Sequence, residues 1–275
     1  MTAAPPVALT IAGSDPSGGA GIQADLKTFS ALGAYGTAVI TALTAQNTQR
    51  VTGVHLVPAA FVTEQLRTLV DDVRLDAIKI GMLGTAELAD AVGDFLHRHP
   101  HPVVVLDPVM VSTSGDRLLT DDAVEALRRL LPLASLITPN LPEAAHLLGT
   151  DVAADVATMR EQAHGLVDAG AHRVLLKGGH LVQGKDSVDV FLGPEGGHEL
   201  AAARIATKNT HGTGCTLSSA VAALRPVRAG WLEAVREAKE WLTQAIAAAD
   251  TLHVGHGSGP VHHFHQWWSD VRTTS

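Results

Sequence analysis

The sequence predicts an α/β fold: a three-layer α/β/α sandwich whose central sheet is mostly parallel with an antiparallel edge. Three observations lead there. Short apolar runs alternate with amphipathic stretches of helical length along nearly the whole chain, the pattern of parallel crossover units. The apolar runs are bounded by glycine, proline and polar residues, as buried strands are. Beyond Ser187 the alternation breaks into two short apolar runs around Gly193-Pro194-Glu195-Gly196-Gly197, which reads as a hairpin.

Val7–Ile11 is the first expected strand, followed by a glycine-rich turn over Gly13–Gly21. Ile22, Leu26, Phe29 and Leu32 recur at helical spacing, so a helix is expected from Ile22 to Leu32. Val39–Leu43 and Val51–Val57 read as strands, Ala59–Asp72 as a helix and Ala77–Gly81 as a compact strand. Helix Thr85–His97, strand Val103–Leu106, helix Thr120–Leu130, strand Ser135–Ile137 and helix Leu141–Leu148 continue the series. Helix Asp155–Asp168 and strand Arg173–Lys177 precede the hairpin within Ser187–Arg204. Helices Thr213–Leu224 and Trp231–Thr251 close the chain, with Pro226 between them. No internal repeat or long linker interrupts the pattern, so one domain over residues 1–275 is expected.

Composition narrows the function. The chain is 46% hydrophobic and 17% charged, enough apolar matter for one large core and too much for disorder. A net charge of −8 opposes a nucleic-acid surface, which needs a basic face. Cys215 is the single cysteine, which excludes an intrachain disulfide and a cysteine zinc cluster. The first basic residue is Lys27, so no signal-peptide n-region is read, and no apolar run approaches the roughly 20 residues of a membrane span. The expectation is a cytoplasmic protein without membrane or nucleic-acid partners.

In parallel sheets ligands sit beyond the carboxyl ends of the strands. Gly13 to Asp15, Gln46 and Asn47, Gly81 and Met82, Asp107, Thr138 to Asn140, and Lys177 to Gly179 all fall at such ends. The strongest local signal is His211-Gly212-Thr213-Gly214-Cys215, running straight into a helix. Alternate glycines let backbone N–H groups turn toward one point, and the helix start adds positive partial charge, so an anion-binding nest is expected. Cys215 lies in the first turn, where the dipole favours a thiolate. A lone helical cysteine is most often a small packed hydrophobe. Two other roles stay open for it: a covalent nucleophile with His211 or another histidine as base, or a proton acceptor for a hydroxyl attacking a phosphoryl group.

Asp107 follows a run of apolar residues and precedes Pro108, so its carboxylate projects from a strand end. With Glu143 after the next strand, it offers two hard acids for one Mg²⁺ held through its waters. A glutamate there is also favoured by the helix dipole alone. Lys177 at a strand end reaches phosphates as a mobile charge, although single lysines are mostly solvated. The Gly13–Gly21 loop permits close approach of main chain, yet is neither a P-loop nor a clean GxGxxG. Gln46 offers one acceptor and two donors, suited to a ring nitrogen beside an exocyclic amine. The late histidines, His253, His256, His262, His263 and His265, fit no metal-ligand spacing that includes cysteine or acid ligands.

Taken in order, Ala12 to Thr28, Thr44 to Thr48, Lys79 to Leu83, Leu106 to Met110, Thr138 to Ala144, Leu176 to His180 and Asn209 to Ser218 resemble the hydroxymethylpyrimidine/phosphomethylpyrimidine kinases of thiamin biosynthesis. Val254 to Phe264 resembles them too, so the likeness spans nearly the whole chain. It implies a ribokinase-like fold and two ATP- and Mg²⁺-dependent phosphorylations, first of an aminopyrimidine alcohol and then of its monophosphate. It also implies a homodimer. Carried over by position, Gln46, Met82 and Gly13 contact the pyrimidine, and Gly212, Thr213 and Gly214 form the anion hole. Lys177 and Asn140 contact ATP, Asp107 and Glu143 organise Mg²⁺, and Cys215 occupies the place of the catalytic base. The nearest alternative is a pyridoxal kinase of the same subgroup. A cysteine hydrolase using Cys215 and His211 would leave Asp107, Glu143 and Lys177 without a purpose, and a non-catalytic nucleotide-binding module would leave the base position unused.

Overall fold

The computed structural model of the chain describes residues 4–110, 121–179, 181 and 186–268. Nine strands form a single sheet among these residues: β1 (Val7–Ser14), β2 (Tyr35–Gln46), β3 (Val51–Leu56), β4 (Ala77–Ile80), β5 (Val104–Leu106), β6 (Leu136–Ile137), β7 (Val174–Leu176), β8 (Asp186–Gly193) and β9 (Gly196–Ala203). Their spatial order is β3-β2-β1-β4-β5-β6-β7-β8-β9. The run from β2 to β7 is parallel, and both flanks are antiparallel. The β8–β9 hairpin is where the glycine-rich turn places it. The β2–β3 hairpin is a second antiparallel edge, which the run-by-run reading left undefined. Only residues 47 to 50 join β2 to β3, too few for a parallel crossover.

Among the described residues eight α-helices cover the two faces: α1 (Gly21–Ala31), α2 (Ala59–Val70), α3 (Ala86–Arg98), α4 (Asp121–Leu130), α5 (Leu141–Leu148), α6 (Val156–Asp168), α7 (Thr213–Leu224) and α8 (Trp231–Ala247). The strands alternate their side chains between two cores, as the pleat requires. Leu9, Ile11, Ile78, Ile80, Val104 and Leu106 pack with α2 to α6, whereas Ala8, Ala77, Val105 and Leu175 pack with α1, α7 and α8. This is the expected three-layer sandwich. Helix starts follow local chemistry: Thr85 and Asp155 accept N–H groups at the starts of α3 and α6, and Asn140 and Glu143 form a reciprocal capping box at α5. Among the described residues no helix is long and apolar enough to cross a membrane.

Candidate active site

The carboxyl ends of β1, β2, β4, β5, β6 and β7 meet the start of α7 at one rim. Its first organiser is Asp15, buried just after β1. Its carboxylate accepts the N–H groups of Ser17 at 2.8 Å, Gly19 at 3.2 Å and Ala20 at 2.9 Å, and so curls the glycine-rich loop around itself. The same carboxylate lies 2.8 Å from Nε2 of His211, across the site. Burial alone would raise the Asp15 carboxyl, but the hydrogen bonds from His211 and Ser17 outweigh it and bring the pKa down to about 2.

A lowered carboxyl stabilises the fold above its unfolded pKa and loses that contribution as the pH falls through the folded value. Asp15→Asn is therefore expected to lower Tm near neutral pH by several degrees, on a contribution of roughly 2 kcal/mol. The gap to the native chain should close between about pH 4 and pH 2, the window from the ordinary aspartate value of 3.8 to the folded value of about 2. Thermal unfolding followed by circular dichroism across that range checks it; a gap independent of pH would refute the assignment.

Gly212 opens α7 with φ +78°, a left-handed conformation that glycine adopts without penalty. A Cβ there would fall 1.8 Å from the Gly19 carbonyl oxygen, so the glycine-rich loop and the helix start are in direct contact. Gly214 and Cys215 follow in the first turn, where N–H groups lack intrahelical acceptors. The Thr213 N–H is turned toward the Thr210 carbonyl at 3.3 Å, so the nest centres on its glycine and cysteine neighbours. His211 is held from behind by its N–H to the Gly259 carbonyl at 3.0 Å, and Gly259 in turn is bound by Asn209. The glycine-histidine segment thus braces the nest. His263 Nε2 lies 3.0 Å from the Thr216 hydroxyl of α7.

On one side of the nest stand the groups expected to handle phosphate. Lys177 Nζ donates to Asp107 Oδ1 at 2.8 Å, and the Thr138 hydroxyl donates to the same oxygen at 3.1 Å. A Cβ on Gly214 would lie 3.2 Å from Lys177 Nζ and 3.7 Å from Asp107 Oδ2, so the pair abuts the nest. Burial raises the Asp107 carboxyl, but the charges of Lys177 and Lys79 overcome it and hold it below the usual range. Burial similarly opposes the Lys177 ammonium, and Asp107 with Glu143 raises its pKa in spite of this.

Glu143 caps its helix and also stands beside the other acid of the rim. It accepts the Asn140 N–H at 2.8 Å as a cap, and it stands close enough to Asp107 to feel its charge. Burial first, and the Asp107 charge second among the raising effects, push its carboxyl up to about 7. Asn140 Oδ1 is committed to the Glu143 N–H at 2.9 Å, which leaves the amide nitrogen as its atom for a ligand.

These donors fit Mg²⁺. They are hard carboxylate oxygens, Asp107 Oδ2 carries a long 3.4 Å contact from the Ser218 hydroxyl, and a cation would relieve the repulsion between the two acids. Among the described residues no group of three or more histidine, cysteine, aspartate or glutamate side chains forms a metal cage. Water and ligand oxygens would complete the coordination, as Mg²⁺ prefers.

On the other side are the groups expected to meet a ring. Met82 Cε lies 2.8 Å from where a Cβ on Gly13 would sit, and the Met82 carbonyl accepts the Thr41 hydroxyl at 2.7 Å. Gln46 Oε1 accepts from the Thr44 hydroxyl at 3.1 Å, and Gln46 Nε2 lies 3.4 Å from His211 Nε2. That histidine nitrogen faces the ionised Asp15 and so carries a proton. It therefore has no lone pair to accept from the Gln46 amide.

Cys215 departs from expectation. Half-buried, its thiol is pushed up to about 11, chiefly by burial, although Lys79 pulls the other way. The helix start does not yield a resting thiolate, because desolvation of the sulfur outweighs it. His211 Nε2 faces Asp15 and is committed to that carboxylate.

Two charged residues under the nest escaped the sequence reading. Lys79 and Asp25 form an ion pair of 2.9 Å with both side chains fully buried. A lysine inside the otherwise apolar strand Ala77–Ile80, and an aspartate on the apolar stripe of α1 between Ile22 and Phe29, were the available signals.

The family model described as phosphomethylpyrimidine kinase matches residues 15–262. The hydroxymethylpyrimidine/phosphomethylpyrimidine kinase of Escherichia coli (strain K12) is 58% identical over 262 residues, covering 95% of this chain and 98% of its own. A solved phosphomethylpyrimidine kinase from Clostridium difficile 630 is 40% identical with a TM-score of 0.78, over 88% of this chain and 99% of its own. The ADP complex of Bacillus subtilis pyridoxal kinase is 38% identical with a TM-score of 0.88, over 95% of this chain and 98% of its own. The expected ribokinase-like sandwich is therefore the fold observed, and the chain belongs to the phosphomethylpyrimidine kinase family.

Proposed function

We propose that this protein uses ATP to phosphorylate 4-amino-5-hydroxymethyl-2-methylpyrimidine and then converts the monophosphate to the diphosphate, in thiamin biosynthesis. The observation that carries the reading is the position of the nest. It lies between the Lys177–Asp107 pair on one side and Gly13, Met82 and Gln46 on the other. That is the place for a phosphoryl group passing between a nucleotide and a small ring, and such transfer depends on positioning and charge stabilisation.

In this reading Gln46 donates to the aminopyrimidine and Met82 packs against the ring face. Lys177 and Asn140 hold the nucleotide phosphates. Asp107 and Glu143 hold Mg²⁺, which when bound neutralises charge on the triphosphate. In the first step the substrate hydroxyl gives its proton to Cys215 in its minor thiolate form, which becomes a thiol, its oxygen forms a bond to the γ-phosphorus, and the bond to the ADP leaving oxygen breaks. The amides of the nest stabilise the charge on the transferring group.

Pyridoxal also carries a hydroxymethyl group on a heteroaromatic ring, and pyridoxal kinases are among the structural neighbours. Incubation of each compound with ATP and Mg²⁺, resolving mono- and diphosphate by chromatography, separates the readings. The expected result is both products from the aminopyrimidine and, at most, a monophosphate from pyridoxal. Turnover of pyridoxal alone, or activity without ATP, would overturn the proposal. We place the protein in the cytoplasm, in keeping with its lone cysteine. We also expect a homodimer, supported by Leu43, Val54 and Leu56 lying exposed on the β2–β3 flank; light scattering tests it.

A further inference from the structure

Among the described residues the Lys79–Asp25 pair is the fully buried charge pair beneath the site that the proposed reaction leaves unused. Lys79 leaves β4 on the side facing α1 and α7, and its ammonium runs toward the strand's carboxyl end. A Cβ on Gly81 would sit 2.8 Å from Nζ, so the bare glycine leaves the room the ammonium occupies. Asp25 receives this ammonium at 2.9 Å on both oxygens. Its Oδ2 also accepts the Thr10 hydroxyl of β1 at 2.6 Å, and its Oδ1 the Ser219 hydroxyl of α7 at 2.7 Å. Ser219 lies one helical turn beyond Cys215, so the pair is bonded to the helix that carries the nest.

Stability alone is a weak reason for such a pair. Two charges taken out of water cost more than their attraction commonly returns, and well-packed apolar residues often serve as well or better. The pair is also polarised toward the site. Of the charges acting on the Cys215 sulfur, Lys79 favours the thiolate most strongly, while Asp25 and Asp107 oppose it. Lys177, at the end of β7 and beside Gly214, adds a second positive charge near the start of α7. The Lys79 ammonium stands beside Gly81, at the rim end of β4, and acts there in favour of negative charge on the sulfur.

We propose that Lys79 is a positioning residue for phosphoryl transfer: anchored by Asp25, it holds a fixed positive charge beneath the nest that favours negative charge on the Cys215 sulfur and on the transferring group. The inference rests on the reading of this rim as the phosphoryl-transfer site. A charge already in place needs no reorganisation as the reaction proceeds, so its effect falls on turnover and not on ground-state binding.

The test uses the full chain with Lys79→Met and with the double variant Asp25→Asn, Lys79→Met. The double variant removes both charges and retains an acceptor for Thr10 and Ser219. Because Cys215 is the single cysteine, its alkylation by iodoacetamide is an unambiguous second readout. In the double variant kcat for the first phosphorylation should fall at least about tenfold with both KM values within about twofold, and the alkylation rate at pH 8.5 should fall about tenfold. Unchanged kcat and unchanged alkylation in a folded variant would overturn the proposal. Failure of both variants to fold would do so too, by making the pair a structural brace. Failure of the base reading is seen separately, as a Cys215→Ala enzyme that keeps its first-step rate, while the alkylation comparison still decides Lys79.

Discussion

Gly212→Ala should lower kcat for both phosphorylations by about 10²–10³-fold. The added Cβ falls 1.8 Å from the Gly19 carbonyl oxygen, at a residue whose φ is +78°. Backbone on both sides is tied down: Asp15 holds residues 17 to 20, and Gly259 holds His211. The clash is relieved only by moving the helix start or the loop by more than an ångström. Displacing a preorganised donor by that much costs about 10²-fold, and losing a donor outright costs about 10²–10³-fold. Gly33→Ala supplies the control. Its φ is +80° but a Cβ there meets nothing within 4 Å, beyond the far end of α1. It should cost about 1 kcal/mol of stability, read as a drop in Tm, and leave kcat unchanged. Comparable kcat losses in both variants would mean that left-handed strain, and not the nest, sets the activity.

Cys215→Ala should separate the two phosphorylations. With the thiol at about 11, only about one molecule in 3,000 carries the thiolate at pH 7.5. A first step that needs this thiolate accelerates as pH rises, by about tenfold per unit between pH 6.5 and 9, because that range lies below the thiol's pKa. The acceptor of the second step is a phosphate monoester, already mostly ionised above a pKa of about 6, and needs no base. The native enzyme should thus show a steep first-step profile and a flat second-step one. Cys215→Ala should lose about 10²–10³-fold in the first step, flatten its profile, and change the second step by less than about fivefold. Product-resolved kinetics on the alcohol and on the monophosphate supply the measurement; equal losses in both steps would remove the cysteine from proton transfer.

Much of this site is legible in the chain because the fold delivers strand ends to one rim. Once Val103 to Leu106 reads as a buried strand, Asp107 must emerge at its tip, and Lys177 emerges likewise after β7. The glycine spacing around Thr213 and the helix that follows locate the nest without coordinates. The β2–β3 edge was harder. β2 runs from Tyr35 to Gln46, partly exposed along much of its length, so its apolar stretch understates the strand.

The order of elements, the layered architecture and the rim residues are written in local pattern, since periodicity and turn chemistry act over a few residues. Protonation states and partnerships are not, because they depend on desolvation and on charges distant in sequence. Helix position argues for a Cys215 thiolate, yet the packed environment keeps a thiol. Lys79 and Asp25 are 54 residues apart and meet only when β4 and α1 pack, while Asp15 and His211 are joined across 196. Sequence therefore determined where the chemistry sits, and the tertiary structure decided which groups are charged, because the energy of a charge is set by what surrounds it in space.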